Sequence, residues 1–352
     1  QKVKEALYLF LLQKREENEL SQAFTAYNTR IVAPPHGSML PMSPVRKNIL
    51  MVACALGLLI PVVIIFICEN MNTRVRGRKD LESVTVPFIG EIPLFTRKKK
   101  GIFRKKPQEV RAIVVKEGSR DIINEAFRVL RTNLEFMTGK DKASNVIIVT
   151  SFNPGSGKSF LTMNIAVSFA IKGKKVLVID GDLRHGSASS YIDSPTKGLS
   201  DYLGGRIDNL NEIIVTNPKQ KYLDILPVGT IPPNPTELLF DDRLKQVIDT
   251  VREQYEYVLI DCPPIELVAD TQIIEKLADR TIFVVRAGLL ELSMLAELEK
   301  IYGEKKYKNM SLILNGTEGS GGRYGYRYGY RYGYHYGYGS EYHYGSDEKY
   351  IE

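Results

Sequence analysis

The residues best placed to do chemistry are Ser151-Phe152-Asn153-Pro154-Gly155-Ser156-Gly157-Lys158-Ser159. They follow an apolar run, Val146-Ile147-Ile148-Val149, that reads as a buried parallel strand. The stretch Phe160 to Ile171 after them reads as a helix. A strand, a glycine-rich turn and a helix opening on Gly-Lys-Ser form a phosphate cradle. Glycines let backbone N–H groups approach the oxygens, and the helix N-terminus adds positive potential. Lys158 supplies a charge for the β/γ-phosphates, and the Ser159 hydroxyl suits Mg²⁺. The expectation is ATP held by Asn153, Pro154, Gly155, Ser156, Gly157, Lys158, Ser159 and Phe160. The stretch departs from the common G-x-x-x-x-G-K-[ST] form, because Phe152 stands where the first Gly belongs.

Two further stretches raise the specificity. Val176-Leu-Val-Ile-Asp180-Gly-Asp182-Leu-Arg184 sets two carboxylates at the end of a strand, and Tyr257-Val-Leu-Ile-Asp261-Cys-Pro-Pro264 sets one. Ligands bind outside the carboxyl ends of strands in open α/β sheets, so both ends can meet the loop around one metal. Carboxylates are hard ligands that Mg²⁺ accepts, and the expected metal residues are Ser159, Asp180 and Asp261. Of Asp180 and Asp182, one would orient the metal and the other accept a proton from an attacking hydroxyl, which with Lys158 makes the expected catalytic set. Each Asp alone could be a helix cap or turn. Asp180-Gly-Asp182 could also be the D-x-D metal motif of a glycosyltransferase, a reading the upstream Gly-Lys-Ser loop disfavours.

These residues need a scaffold. From residue 145, apolar runs at 146–150, 176–180, 222–227, 257–261, 281–285 and 311–314 alternate with helical patterns at 158–171, 236–253, 267–277 and 290–301. That alternation predicts an α/β fold of the P-loop NTPase type, a parallel sheet with helices on both faces. A helix over 119–138 carries Glu125, Arg128 and Arg131 at a spacing of three, on one face.

The chain has 352 residues, a formal net charge of +7 and no initial Met, and is expected to be a piece of a longer or processed protein. That length holds one core of about 200 residues plus other parts. Residues 1–30 read as the end of a helix, and Pro34, Pro35, Pro41 and Pro44 mark a linker. Ile49 to Cys68 carries no charge and is long enough for a transmembrane helix. Basic residues crowd its far flank: Arg74, Arg76, Arg78 and Lys79, then Arg97–Lys100 and Arg104–Lys106. The positive-inside rule therefore puts residues 69–352 in the cytoplasm and 1–45 outside. It also assigns the basic runs to anionic lipid rather than nucleic acid. Cys54, Cys68 and Cys262 suggest neither a disulfide framework nor a zinc site. After Gly319-Ser-Gly-Gly322, Tyr324, Tyr326, Tyr328, Tyr330, Tyr332, Tyr334, Tyr336 and Tyr338 alternate with Gly, Arg and His, and Tyr342, Tyr344 and Tyr350 follow. A segment so rich in Gly and so poor in aliphatic residues cannot bury a core and is expected to be disordered. The expected parts are an outer helix end and linker (1–45), a membrane helix (46–70), a basic connector (71–110), a nucleotide domain (111–317) and the tyrosine tail (318–352).

Over about residues 34–352 the chain resembles the cytoplasmic kinase region of the bacterial tyrosine kinases, with part of the membrane co-polymerase module of capsule and exopolysaccharide assembly. The three phosphate and acidic motifs match, as do Gly198–Leu203, Pro232–Leu239 and the proline-rich entry to the membrane span. The resemblance implies that the eleven tail tyrosines are phosphoacceptors, used between neighbouring subunits of a homo-oligomeric ring. It implies that Glu125, Arg128 and Arg131 serve oligomerisation. It further implies ATP and Mg²⁺ as cofactors, an inner-membrane location, the polysaccharide polymerase and export machinery as partners, and a tyrosine phosphatase that resets the tail. The tail's Tyr-Gly-Tyr-Arg repeat is more regular and longer than the family pattern. The runner-up is a partition or septum-placing ATPase of the related group with a second, signature lysine, but Asn153 occupies that position. A third reading is a membrane scaffold with a vestigial site, against which stand the intact Lys158, Ser159, Asp180, Asp182 and Asp261. A eukaryotic-type kinase is excluded, since neither His-Arg-Asp nor Asp-Phe-Gly occurs.

Overall fold

The computed structural model describes residues 2–24, 37, 45–95, 112–138, 145–217, 220–266 and 269–318. The tail tyrosines, the basic runs at 97–106 and all of the proline-rich linker except Gly37 lie outside them. The chain divides into two units, Gln1–Asn72 and Thr73–Glu352.

The first unit contains helices α1 (Lys2–Phe24) and α2 (Arg46–Asn70). Every described side chain of α1 is exposed, and ion pairs Lys14–Glu17 (2.6 Å) and Arg15–Glu19 (2.9 Å) line its surface. In α2 the 22-residue span Arg46–Ile67 is apolar beyond its first three residues and none of it is buried. At 1.5 Å per residue they cover about 33 Å, enough for a hydrocarbon core of about 30 Å. A fully exposed apolar cylinder of this size is at odds with water as its solvent. Pro61 lies within α2, as membrane helices tolerate.

The second unit is built on one eight-stranded sheet. Its elements in chain order are β1 (Phe88–Pro93), α3 (Ile122–Thr138), β2 (Asn145–Thr150), α4 (Lys158–Ala170), β3 (Val176–Asp180), α5 (Leu199–Leu203), β4 (Val215–Thr216), β5 (Leu223–Leu226), α6 (Pro235–Phe240), α7 (Asp242–Gln254), β6 (Tyr257–Asp261), α8 (Asp270–Glu275), β7 (Arg280–Arg286), α9 (Met294–Gly303) and β8 (Met310–Thr317). The strand order is β1-β8-β7-β2-β6-β3-β5-β4. All neighbours are parallel except β4, a two-residue antiparallel edge on β5 that the apolar pattern did not announce.

The predicted two-faced burial follows from strand alternation. Val146, Ile148, Leu177, Ile179, Val258 and Ile260 face one core with Leu199, Leu244, Val247, Ile273 and Leu298 from α5, α7, α8 and α9. Ile147, Val149, Val176, Val178 and Leu259 face the other with Phe127, Leu130, Leu161 and Ile165 from α3 and α4. The start of β2 is pinned by Asp279, which accepts the Val146 N–H (2.8 Å) and both terminal nitrogens of Arg252 (2.7 and 2.9 Å).

Two boundaries differ from the sequence expectation. The helix predicted over 236–253 breaks at Asp241, whose ψ of 142° is extended and whose side chain caps α7 through the Arg243 N–H at 2.8 Å. The compact unit begins at Thr73, so residues 73–95, expected as connector, belong to it. Val75, Leu81 and Val86 are buried in its core, and β1 pairs with β8. Two of the basic residues expected to meet lipid are engaged here: Arg74 donates to Gly288 O (3.0 Å), and the Arg78 guanidinium lies 5.1 Å above the Phe88 ring.

Candidate active site

β2 stops at Thr150, and Ser151–Gly157 carry the chain into α4. The loop can turn this tightly because Gly155 (φ 74°) and Gly157 (φ 87°) are left-handed. A Cβ on Gly157 would also lie 2.2 Å from Asn315 Nδ2. Three loop carbonyls are engaged, one by the loop's own serines and two from strands β7 and β8. Asn153 O accepts from the Ser151 and Ser156 hydroxyls (2.8 Å each), Gly155 O from Arg286 Nη1 (2.8 Å) and Ser156 O from Asn315 Nδ2 (2.8 Å). A cradle of this kind holds phosphate through its N–H groups. The first helical bond of α4 runs from Leu161 N to Gly157 O (3.0 Å), so the N–H groups of Lys158, Ser159 and Phe160 stand outside its ladder. Lys158 is buried, with Nζ donating to Ser151 Oγ at 3.4 Å.

Of the predicted nucleotide residues, Phe160 offers only backbone, because its ring packs edge-on against Phe127 with centroids 6.0 Å apart. Phe152 is a core residue: its ring meets Phe283 of β7 at 4.9 Å, which accounts for the missing first glycine. The Asn153 amide donates to Glu266 (3.2 Å) within its own chain.

The two acidic strand ends meet beside this loop. In the β3·β6 pairing Asp180 faces Asp261, and in β2·β6 Val149 faces Asp261. Gly181 allows the close approach, since its N–H reaches Asp261 O (2.9 Å) and a Cβ there would lie 2.9 Å from Ile260 Cγ2. Both carboxylates are fully buried. Asp180 Oδ2 accepts the Ser189 N–H and hydroxyl, each at 2.6 Å, whereas Asp180 Oδ1 and both Asp261 oxygens have no hydrogen-bond partner. Burial drives both pKa values above the usual carboxylate range. Asp180 raises Asp261 further, while the Ser159 hydroxyl and Lys158 pull it back. Desolvated like charges with open lone pairs call for a cation. Hard oxygen donors in small number suit Mg²⁺, which shares its coordination with substrate phosphate and water. In keeping with that sharing, no three His, Cys, Asp or Glu side chains converge as a cage among the described residues.

Asp182 stands at the rim. Its Oδ1 accepts the Arg184 and His185 N–H groups (3.2 and 3.3 Å) and lies 3.3 Å from His185 Nδ1. Lys158, Ser159, Asp180, Asp182 and Asp261 thus form one electrostatic cluster.

The bonds that tie these motifs to other elements were not legible in the motifs. Arg184 donates to Asp270 (3.1 Å) and Thr236 (3.0 Å), and Thr236 donates to Asp270 (2.7 Å), joining the acidic motif to α6 and α8. Asp201 Oδ2 accepts the N–H groups of Gly198 and Thr230 (3.1 Å each), holding the segment around Gly198 against the one before Pro232.

The residues expected to serve oligomerisation lie on α3. Arg128 pairs with Glu125 and donates to Ser119 O (2.6 Å), and both side chains are half exposed. Arg131 is turned inward: its side chain is 11% exposed and Nη1 donates to Ser168 O (2.9 Å), ten residues along α4 from Lys158. That places it about 15 Å from the phosphate loop. The eleven predicted phosphoacceptors lie outside the described residues.

An AAA domain family model matches residues 144–312. The chain is 31% identical over 296 residues to the tyrosine-protein kinase etk of Escherichia coli K12, covering 81% of this chain and 40% of that one. It is 30% identical over 321 residues to the tyrosine-protein kinase wzc of Salmonella typhimurium, covering 88% and 43%. The chain thus spans well under half the length of the curated relatives it matches. Among solved structures, the kinase domain of E. coli tyrosine kinase ETK matches with a TM-score of 0.60 at 29% identity, over 76% of this chain and all of that one. The BceF tyrosine kinase domain matches with a TM-score of 0.57 at 30% identity, over 69% and 99%.

Proposed function

The chain belongs to the bacterial tyrosine-protein kinases, and from that premise we propose that it transfers the γ-phosphoryl group of ATP to tyrosines of its own tail, from one subunit to the next. The observation that carries this reading is the gathering, at one edge of the sheet, of a buried lysine, a helix-initiating serine and two buried carboxylates with three unpartnered oxygens. Mg²⁺, when bound, supplies charge neutralisation at the phosphate oxygens, and Ser159, Asp180 and Asp261 would hold it.

The chain's own groups do the rest. The N–H groups of residues 155–160 orient the phosphates, and Lys158 adds a fixed positive charge where negative charge develops. Of the two acidic candidates for base, Asp182 suits better, because it keeps a solvent edge (7% exposed) where Asp180 has none. It would accept the phenolic proton as the tyrosine oxygen bonds to phosphorus and the bridging oxygen leaves with ADP.

The tail supplies the acceptors, Tyr324 to Tyr350. Each phosphate adds about −1.5 to −2 charges. A phosphorylated tail would therefore leave a neighbour's acidic site and loosen the ring, and a phosphatase would reset the cycle. Glu125 and Arg128, half exposed on α3, are the residues available to a neighbouring subunit. The exposed apolar α2 would anchor the enzyme in the inner membrane with residues 69–352 in the cytoplasm, beside the machinery that polymerises and exports polysaccharide.

The test is incubation of the full chain, in detergent, with Mg-ATP, followed by phosphotyrosine detection and comparison with Lys158→Met. Phosphotyrosine that requires Lys158 supports the reading. ATP consumption without protein phosphorylation would move the chain to the ATPase reading.

A further inference from the structure

The carboxylate pair is not held symmetrically. Asp261 has the Ser159 hydroxyl nearby but no donor in good hydrogen-bond geometry on either oxygen, whereas Asp180 has two short bonds on the same oxygen, and both come from Ser189. Ser189 is nine residues beyond Asp180 and belongs to none of the recognisable motifs. The chain returns to Asp180 by a turn at Gly186, left-handed at φ 56°, and enters a short 3-10 turn, Ser189–Ile192.

The Ser189 hydroxyl has little freedom. It accepts the Val228 N–H at 2.9 Å, just past the end of β5, while its own proton goes to Asp180 Oδ2 at 2.6 Å. The residue is 3% exposed, so no water competes for it. A carboxylate gripped by two donors on one oxygen cannot rotate without breaking both bonds. Its other oxygen, Oδ1, is then fixed in direction and left open.

We propose that Ser189 is a positioning residue for the metal: by pinning Asp180 Oδ2 it presents Oδ1 as a preset ligand, while Asp261, which is held less tightly, adjusts to the ion. Groups that hold a metal-binding carboxylate commonly change metal affinity about 10–100-fold when removed. Ser189→Ala keeps the backbone donor and loses the hydroxyl, so the lower end of that range applies. The inference rests on reading Asp180 as a metal carboxylate, and the experiment separates the two.

Mn²⁺ binding to the ADP complex of the full chain, in detergent, is measured by electron paramagnetic resonance, alongside ADP affinity in EDTA. Ser189→Ala is expected to weaken Mn²⁺ about tenfold with metal-free ADP affinity unchanged. Ser189→Thr, which restores a hydroxyl, is expected to bind Mn²⁺ within about threefold of the parent, well short of the loss expected on removal. A purely structural role would lower the melting temperature and move both affinities together. Wild-type Mn²⁺ affinity in Ser189→Ala, with loss in Asp180→Asn, overturns the proposal and leaves the metal reading standing. Wild-type Mn²⁺ affinity in Asp180→Asn overturns the metal reading and the proposal with it. Should Ser189→Ala not fold, Ser189→Cys keeps the volume with a weaker donor, and unchanged Mn²⁺ affinity there counts equally against the idea.

Discussion

Gly157→Ala perturbs the phosphate loop in two ways that the structure separates. An alanine at φ 87° sits in the left-handed region, which costs about 1–2 kcal/mol. Its Cβ would also stand 2.2 Å from Asn315 Nδ2. Asn315 is buried, with its amide bound to Ser156 O. It can step aside only by breaking a buried hydrogen bond, at about 0.5–1.5 kcal/mol. The sum is about 1.5–3.5 kcal/mol. It is distributed between folding stability and nucleotide affinity, according to how far the loop relaxes before ATP arrives. If all of it falls on affinity, ATP binding weakens about 10- to 400-fold. The assay is a double-mutant cycle with Asn315→Ala, reading denaturant unfolding and fluorescent-nucleotide affinity for all four proteins. Removing Asn315 removes the clash but not the strained φ. The double variant should therefore be better than additivity by about 1 kcal/mol or more. Additivity within about 0.5 kcal/mol would refute the claim that Asn315 sets the space at Gly157, and wild-type behaviour of Gly157→Ala would refute both parts.

Two other outcomes follow from the same geometry. Asp261→Asn should raise the melting temperature of the nucleotide-free protein in EDTA at neutral pH while abolishing Mg²⁺-dependent phosphorylation, because it replaces a carboxyl that burial beside Asp180 forces to stay protonated by a group that is always neutral. The sign is fixed by the raised pKa values: the folded state holds protons that the unfolded state has lost, so parent stability falls as pH rises from the ordinary carboxylate pKa towards neutrality, and the variant's falls less steeply. Along α3 the two arginines should part company. Arg131→Ala, losing the buried bonds to Ser168, should destabilise by about 1–3 kcal/mol, whereas the half-exposed Arg128–Glu125 pair is worth about 0.2–1 kcal/mol, so Arg128→Ala should alter sedimentation more than melting.

The central sheet was legible because a parallel strand buried on both faces is written as a continuous apolar run, and each acidic residue ends such a run. Parallel order then brings the carboxyl ends together without further information, which is why Asp180 and Asp261 could be paired from sequence. The site's supports could not be found that way. Arg286 and Asn315 reach the loop across sequence separations of 131 and 159, and no local pattern records such a contact. Ser189 sits in a small-residue loop whose composition marks a turn and nothing more. The break at Asp241 did leave a signal, since Asp241-Asp242 inside a helical pattern is an N-cap doublet. A short strand could be expected at Val84–Pro93, but not its place in the sheet, because β1 is a six-residue edge strand whose partner, β8, lies over two hundred residues away.

On the proposed function, the last strand bears on which subunit's tyrosines reach which site. β8 runs parallel to its neighbours and stops at the same edge as the phosphate loop, with Asn315 bonded to that loop three residues before Glu318. The tail is therefore leashed at the rim of its own nucleotide site. Tyr324 lies six residues from Glu318, a reach of at most about 20 Å. Tyr350 lies thirty-two residues from it, a reach of at most about 110 Å. Groups on short tethers are held at an effective concentration of about millimolar order, whatever the amount of protein in the cell. A neighbour's tyrosine must compete with this resident population. On that reading the tail's length becomes a variable of the reaction: the distal tyrosines have the reach to cross to another subunit, and the first ones only enough for their own site.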